Sequence, residues 1–405
     1  MARLWTRDFV LYFVARAVAL LGDGMLPVAV ALAVRGAGHG ASGVGLVLAS
    51  WMVPFVGLIL FGGVLADRAG ARRLMVGADL VRVATQSVTA VALFTGHSPL
   101  WLLAGMSVLA GSAAAMFQPG VASMVPLLAA DVQRANGVLR VADAGAQLLG
   151  PALSAVLVVA TGAGTVYALN AATFAVSAVC LLALRLPAHP PAAAATTATL
   201  RRDLREGWTE FRSRSWMWSV ILIWFGYGVV LFGPLIPIGS ALITDRLGDA
   251  AYGWAMSAMG AGTVLGGLAA MRLKPVRPLA AGAVVLVGFV LVPLTTALDT
   301  PLPVLLAGHA VGGLSWAFWS VMWATSIQTH IPRDVLNRVS AYEVAGSVLG
   351  VPVGQVLAAP LAGLLGPGQL LLTGCAVGVT GCVLLLVVPP IRRLRRADAA
   401  VPAPA

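Results

Sequence analysis

Gly63-Val64-Leu65-Ala66-Asp67-Arg68-Ala69-Gly70-Ala71-Arg72-Arg73-Leu74 sets one carboxylate and three arginines in a tight turn between two long apolar segments. Such a stretch reads as a short loop joining two membrane-spanning helices. Gly63 lets a neighbouring helix approach closely, and Gly70 permits the sharp reversal of the chain. Asp67 can cap or pair with the N-terminus of another helix. Arg68, Arg72 and Arg73 place the loop on the cytoplasmic side, where loops between spans carry an excess of positive charge.

The chain on either side agrees with that reading. Hydrophobic residues make up 59% and charged residues 10%, with a mean hydropathy of +0.92, whereas soluble domains are about 25% charged. Segments long enough to cross about 30 Å of hydrocarbon need roughly 20 residues each. Such runs occur at 9–34, 43–66, 74–94, 99–128, 136–161 and 164–186, and again at 216–243, 253–271, 279–298, 302–331, 339–365 and 368–391. The expectation is an all-α polytopic membrane protein whose twelve transmembrane helices form two pseudo-symmetric six-helix bundles, 1–186 and 216–391. A linker, 187–215, joins them, and 392–405 form a tail. The linker opens on Pro187, Pro190 and Pro191 and then places Leu200, Leu204, Trp208 and Phe211 at helical spacing among charges. That second part reads as an amphipathic helix, lying either on the inner membrane surface or against the inner ends of the bundle.

The formal net charge of +11 invites a nucleic-acid reading, but the arginines sit in short loops without interleaved aromatic residues. They report orientation. With the N-terminus cytoplasmic, only Arg35 and Arg246 fall in outer loops, so both termini are expected inside. The first run, with Arg16 and Asp23 in it, is too long and too charged for a cleaved signal peptide. Cys180, Cys375 and Cys382 lie in apolar runs and read as small buried hydrophobes, with no disulfide, redox or metal role. No Gly-Lys-Ser phosphate loop occurs, which argues against direct ATP use, and no cofactor is expected. A membrane-embedded sensor or integral membrane enzyme is a remote alternative. The tail is short for an output domain, and His309 and His330, the histidines within spans, are far apart in sequence.

Ionisable groups in hydrocarbon cost about 2.5–3.5 kcal/mol each on insertion scales, so each needs a partner, water or a function. The set is small: Arg16 and Asp23 in the first span, Asp79 and Arg82 in the third, Arg140 and Asp143 in the fifth, Glu343 in the eleventh. Asp79 and Arg82 share a helical face, as do Arg140 and Asp143. Each pair is either a local ion pair or part of a transport site. Asp23, between Gly22 and Gly24, has no charge within a turn. It is either a proton-exchanging or substrate-contacting carboxylate, or a buried partner of Arg16 or of backbone. The halves repeat one another: Phe117, Asp143 and Gly150-Pro151 are followed about two hundred positions later by Phe318, Glu343, Gly350 and Pro352. Asp23, Asp143 and Glu343 are the proton-coupling candidates.

The stretch from Gly63 to Arg73, with its Gly, Asp, Arg, Gly and Arg at fixed spacing, resembles the loop between the second and third helices of the major facilitator superfamily. Together with Gly22-Asp23-Gly24, Asp79 and Arg82, Ala135-Asn136 and Glu206-Gly207-Trp208, it makes nearly the whole chain resemble the branch that holds macrolide and siderophore exporters. The resemblance implies a secondary transporter working by alternating access, with the substrate path between the halves. It assigns Gly63, Asp67, Arg68, Gly70, Arg72 and Arg73 to gating, with Asp67 meeting the end of a second-half helix in one state. The loop after the eighth span, Arg272-Leu273-Lys274-Pro275-Val276-Arg277, lacks the aspartate, so the two gates are not expected to be equivalent.

Further expectations follow from the same resemblance. Ala146 to Ala155, around Gly150 and Pro151, resembles the Gly-Pro motif of drug exporters. The superfamily lines its cavity with the first, fourth, seventh and tenth helices, which makes Arg16, Phe117, Gln118, Trp224, Tyr227, Trp316, Trp319 and Trp323 substrate-cavity candidates. The alternative for the aromatic stripe is packing or interfacial anchoring. The arginine that many drug exporters carry near the start of the fourth helix is missing, as are sugar-porter signatures. The expected function is proton-coupled export of small hydrophobic or amphipathic compounds such as antibiotics or siderophores. The expected partners are a small-molecule substrate, protons and the lipid bilayer, with no nucleic acid and a monomeric state. Abundant alanine and arginine in place of lysine point to a bacterial plasma membrane. A solute importer or a lysolipid transporter of the same fold is the alternative.

Overall fold

A computed structural model describes residues 4–186 and 200–397. Pro187, Pro190 and Pro191 of the linker, and the tail beyond 397, lie outside the described residues. Among the described residues, twelve helices are long and apolar enough to cross a membrane, so this is a multi-pass membrane protein. Numbered as spans one to twelve, they are Arg7–Val34, Gly43–Ala69, Ala71–Phe94, Leu100–Leu128, Val132–Thr161, Ala163–Leu182, Ser215–Leu247, Ala251–Arg272, Pro278–Ala297, Leu302–His330, Leu336–Leu365 and Pro367–Val387. Among the described residues there is no strand, as expected where every backbone polar group must be satisfied without water.

Both sets of six pack by the same scheme. Span two packs on four, three on four and six, and one on six; eight packs on ten, nine on ten and twelve, and seven on twelve. Small residues explain the closest crossings. A Cβ on Gly62 would fall 2.4 Å from the Ala115 carbonyl oxygen of span four, and one on Gly266 would fall 2.2 Å from the Leu314 carbonyl oxygen of span ten. Backbone thus lies against backbone, the contact that drives helix association in lipid. Span five runs unbroken through Pro151. Span seven carries a π-helical turn at Gly228–Phe232, and span nine a 3-10 turn at Val287–Val290.

The chain divides into two compact units. The first comprises 1–130, 145–207 and 332–341; the second comprises 131–144, 208–331 and 342–405. Each unit therefore contains the opening turns of a helix whose remainder belongs to the other unit, at 332–341 of span eleven and 131–144 of span five. This division differs from a cut through the linker. The amphipathic helix is Leu200–Ser213, and it is docked on protein. In the first unit Asp203 meets Arg68 at 2.5 Å and Glu206 meets Arg338 at 3.2 Å. In the second, Trp208 and Phe211 pack on Tyr342, with ring centroids 5.6 and 6.0 Å away.

Candidate functional site

Span three carries Asp79, Arg82, Gln86 and Thr89 on one face, and span six carries Asn170, Thr173 and Ser177; all are buried. Their spacing of three and four residues aligns each set along its helix. At the centre lies the Arg82 guanidinium, sandwiched between the rings of Phe117 and Phe174 at 4.3 and 4.4 Å. Its Nη2 is 3.0 Å from Asp79 Oδ1, and its Nη1 is 3.9 Å from Asp23 Oδ2. Asp79 Oδ2 accepts a 2.6 Å hydrogen bond from Ser177. Aromatic faces on two sides and carboxylates at its tips let an arginine persist where a bare charge is expensive.

Asp23 of span one sits at the edge of this cluster. Its side chain is 47% exposed, whereas Asp79 is 0% and Arg82 7% exposed. Its nearby cation is Arg82, brought over from span three. Arg16 instead lies 5.5 Å from the Phe117 ring. Asp23 lines a cavity of about 350 Å³ within the first unit, walled by spans one, two, three, four and six. Two close crossings hold Asp23 in place. A Cβ on Gly22 would fall 2.1 Å from Asn170 Oδ1 of span six, and one on Gly24 would fall 2.7 Å from the Ala146 carbonyl oxygen of span five. Gly150 sits against Gly24 itself, with a Cβ at 150 only 2.5 Å from the Gly24 carbonyl carbon.

Gly228 and Gly350 make the matching crossing of spans seven and eleven. Gly24 and Gly228 are separated by 204 positions, and the same offset carries Asp23 onto Tyr227. Tyr227 is buried and donates a 2.7 Å hydrogen bond to the Gly378 carbonyl. The second unit thus has a phenol where the first has a carboxylate. Trp224, Tyr227 and Trp319 are buried, with Trp224 stacked on Trp319 at 5.1 Å. These three lie in the interior of the second unit. Trp316 and Trp323 are half-buried. Trp316 lies 5.9 Å from the Arg140 guanidinium, which pairs with Asp143 at 2.5 Å. Trp323 donates to Glu343 at 2.9 Å, and Ser347 donates to the same oxygen at 3.1 Å. Gln118 is half-buried on span four, on the helix that supplies Phe117.

The loop residues form a second cluster in the first unit. Gly70, with φ +86°, makes the turn between spans two and three. Asp67 accepts from Asn337 Nδ2 at 2.8 Å and Arg338 Nε at 2.7 Å. A Cβ on Gly63 would fall 2.8 Å from the Asn337 carbonyl oxygen and 2.7 Å from the Ala341 Cβ. Only glycine admits this approach. Arg72 donates to the Leu182 and Leu184 carbonyls at 2.6 and 3.0 Å, closing the end of span six, and Arg73 is exposed. The Arg202 guanidinium holds the Glu206 carboxyl below its ordinary range, helped by Arg338.

In the second unit, Gly267 faces the Gly137 carbonyl and Val141 as Gly63 faces the Asn337 carbonyl and Ala341. The offset of 204 then carries Asp67 onto Met271, which packs on Gly137. Polar ties there come from residues that the motif does not mark. Gln133 donates to the Ala270 and Leu273 carbonyls at 2.5 and 2.6 Å, and Asn136 donates to Gln328 and Thr325 at 2.8 and 3.1 Å. Lys274 bonds Asp131. Partial burial opposes ionisation of Asp131, but Lys274 and the Arg134 backbone N–H outweigh it and hold the carboxyl below its ordinary range. Among the described residues, no group of three or more His, Cys, Asp or Glu side chains is arranged to hold a metal ion.

Residues 12–342 match the Major Facilitator Superfamily. The chain belongs to this superfamily. It is therefore a membrane transporter of small molecules and not an enzyme. This superfamily member is similar to macrolide efflux protein A of Streptococcus pyogenes, at 21% identity over 97% of this chain and 98% of that one. It is similar at 27% identity to multidrug efflux pump Tap of Mycobacterium tuberculosis, over 86% and 85%. It is also similar at 27% to the enterobactin exporter EntS of Salmonella paratyphi A, over 95% and 93%. The fold is shared with the human organic anion transporter MFSD10, with a TM-score of 0.76 at 19% identity, covering 94% of this chain and 99% of that one. A bacterial homologue of the iron transporter ferroportin, in its outward-facing state, has a TM-score of 0.77 at 14% identity, covering 95% and 99%.

Proposed function

We propose that this superfamily member is a proton-coupled exporter of small hydrophobic or amphipathic compounds, acting by alternating access in a bacterial plasma membrane with both termini cytoplasmic. The observation that carries the reading is the contrast within one ion cluster: Asp23 is half-exposed on a cavity, while Arg82 and Asp79 behind it are buried. A proton reaching Asp23 leaves Arg16 and Arg82 facing Asp79 alone, so a balanced cluster becomes positive. In a low-dielectric interior such a change shifts the balance between conformations. Asp143 beside Arg140, and Glu343 held by neutral donors, are further proton carriers in this scheme.

Efflux is supported by the three relatives named for efflux or export and by the close Gly24–Gly150 crossing next to Asp23. The arginine-rich loops support cytoplasmic termini. Asp67, bonded to Asn337 and Arg338, acts as a latch that holds one end state and opens in the other. The test uses inside-out vesicles from an efflux-deficient bacterium expressing wild type or Asp23→Asn at matched levels. Accumulation of a hydrophobic antibiotic on imposing a pH gradient, lost in Asp23→Asn, is the expected result. Equal accumulation by the variant removes Asp23 from coupling, and none by wild type for any compound tested opposes export.

A further inference from the structure

Span twelve ends at Val387, and the chain then makes a short helical turn, Pro389–Arg392, which packs on spans seven and nine with Ile391 fully buried. This anchor holds the residues that follow against the loop joining spans eight and nine. The Arg396 amide N–H donates to the Val276 carbonyl at 2.9 Å, and the Arg395 carbonyl lies 2.9 Å from His330 Nε2 at the end of span ten. Residues far apart in sequence thus meet on one surface: Arg272 and Arg277 bound the loop, and Arg392, Arg393, Arg395 and Arg396 lie on the tail. All six are exposed. Among the described residues none of the six has an ion-pair or hydrogen-bond partner for its side chain. Lys274, within the same loop, is matched by Asp131, so the arginines are the unanswered charge.

Apolar side chains stand among them. Leu273 is 57% and Val276 69% exposed on the loop, where the apolar spans give way to polar chain. At that depth an aliphatic side chain meets acyl chains while an arginine reaches the headgroup layer. Juxtamembrane clusters of arginine attract anionic lipid, and the guanidinium fork matches a phosphate with two parallel hydrogen bonds. The pairing of charge with exposed aliphatic surface favours a lipid over a soluble anion.

We propose that the loop between spans eight and nine and the chain after span twelve form one binding site for an anionic phospholipid, with the headgroup phosphate between Arg277 and Arg396 and the acyl chains against Val276. The site lies within the second unit and stands apart from the exporter reading.

The experiment measures binding of tritiated dioleoylphosphatidylglycerol to the purified, immobilised full-length protein in mixed micelles by scintillation proximity. Two unlabelled competitors separate charge from chains. Dioleoylphosphatidylcholine, with the same chains and phosphodiester but no net charge, is expected to compete at least about 10-fold less well than unlabelled phosphatidylglycerol. Glycerophosphoglycerol, the anionic headgroup without chains, is expected to compete less well still. Equal competition by phosphatidylcholine at the wild-type protein removes the arginines from recognition, and equal competition by glycerophosphoglycerol replaces the lipid with a soluble phosphodiester; either result overturns the proposal without recourse to a variant. Arg277→Gln with Arg396→Gln is expected to weaken phosphatidylglycerol about 25-fold, at about fivefold per arginine. Arg73→Gln with Arg185→Gln removes the same charge from exposed positions elsewhere and should weaken it less than about twofold. Equal weakening by the two monodisperse double variants means a general attraction to a basic protein and sinks the site.

Discussion

Replacing Asp67 with Asn separates the charge of the latch from its shape. The carboxylate is 11% and Arg338 15% exposed, so both bonds to Asp67 are made largely out of water. The carboxamide keeps an acceptor for Asn337 but loses the charge-assisted bond to Arg338 Nε. Such bonds contribute about 1.5–3 kcal/mol. Arg338 retains Glu206 at 3.2 Å, which holds the loss near about 2 kcal/mol, or about 30-fold in the ratio of latched to released molecules. Arg338→Ala strands a mostly buried carboxylate and is expected to cost at least about 3 kcal/mol, or more than about 100-fold. Arg68→Ala breaks a more exposed pair, 34% and 21% accessible, worth at most about 1 kcal/mol and about fivefold.

Ser340 supplies the reporter. It is 3% exposed and lies on the opening turns of span eleven that belong to the first unit. In a background of Cys180→Ala, Cys375→Ala and Cys382→Ser, a cysteine at 340 reacts with a water-soluble maleimide only when those turns come away. The labelling rate then reads the released fraction, and it should rise by the factors above in the order Arg338→Ala, Asp67→Asn, Arg68→Ala. A rise below about threefold in Asp67→Asn, or one no larger than in Arg68→Ala, refutes the latch.

Asp79→Ala leaves Arg82 buried and is expected to lower stability by about 3–5 kcal/mol, whereas Asp79→Ala with Arg82→Leu recovers part of that loss; thermal unfolding in detergent orders the two. Gly24→Val forces a side chain onto the Ala146 carbonyl, 2.7 Å from the new Cβ, and should cost about 1–3 kcal/mol or more. Gly57→Ala, which meets nothing within 4 Å, should be silent in the same assay. The lowered carboxyl of Asp131 means that its tie to Lys274 stabilises the fold above the unfolded carboxylate range and is lost as pH falls through the lower folded value. Wild type should therefore exceed Asp131→Asn in unfolding temperature by a constant margin above about pH 5, and the margin should shrink only below about pH 4.

The spans were legible because hydrocarbon thickness fixes their length, and the structural helices follow the apolar runs with shifts of a few residues at their ends. Local patterning reaches less far into the sites. The Asp79–Arg82 face is visible at three-residue spacing, and the polar stripes Gln86–Thr89 and Asn170–Thr173–Ser177 each keep a common helical phase in the sequence. That Arg82 also reaches Asp23, or that Asp67 meets Asn337 and Arg338, depends on which helices pack together, and no spacing within one segment encodes that. The aromatic stripe shows the opposite limit: spacing puts Trp316, Trp319 and Trp323 along one side of span ten, yet Trp319 is 1% exposed while the other two are half-buried.

The repeat carries the argument further than either half alone. Glycine crossings keep the two units in the same internal arrangement, so counterparts can be assigned by geometry. At both positions that matter the second unit has given up charge: Tyr227 stands for Asp23, and Met271 for Asp67. A phenol that donates its proton to the Gly378 carbonyl and a thioether packed on glycine offer no negative charge to an arginine. Span-three chemistry and the ionic latch thus belong to one half, while the other contributes aromatic packing, the Arg140–Asp143 pair and Glu343. Exchanging the counterparts tests this asymmetry directly. Asp67→Met should free the Ser340 reporter at least as much as Asp67→Asn, because methionine offers Asn337 no comparable acceptor. Met271→Asp should not build a second ionic latch, because its neighbour is Gly137, where the first unit has Asn337, and the arginine at 338 is matched by Val138. A Met271→Asp protein that tightens the second unit would show that the scaffold, and not the paired side chains, sets where the latch forms.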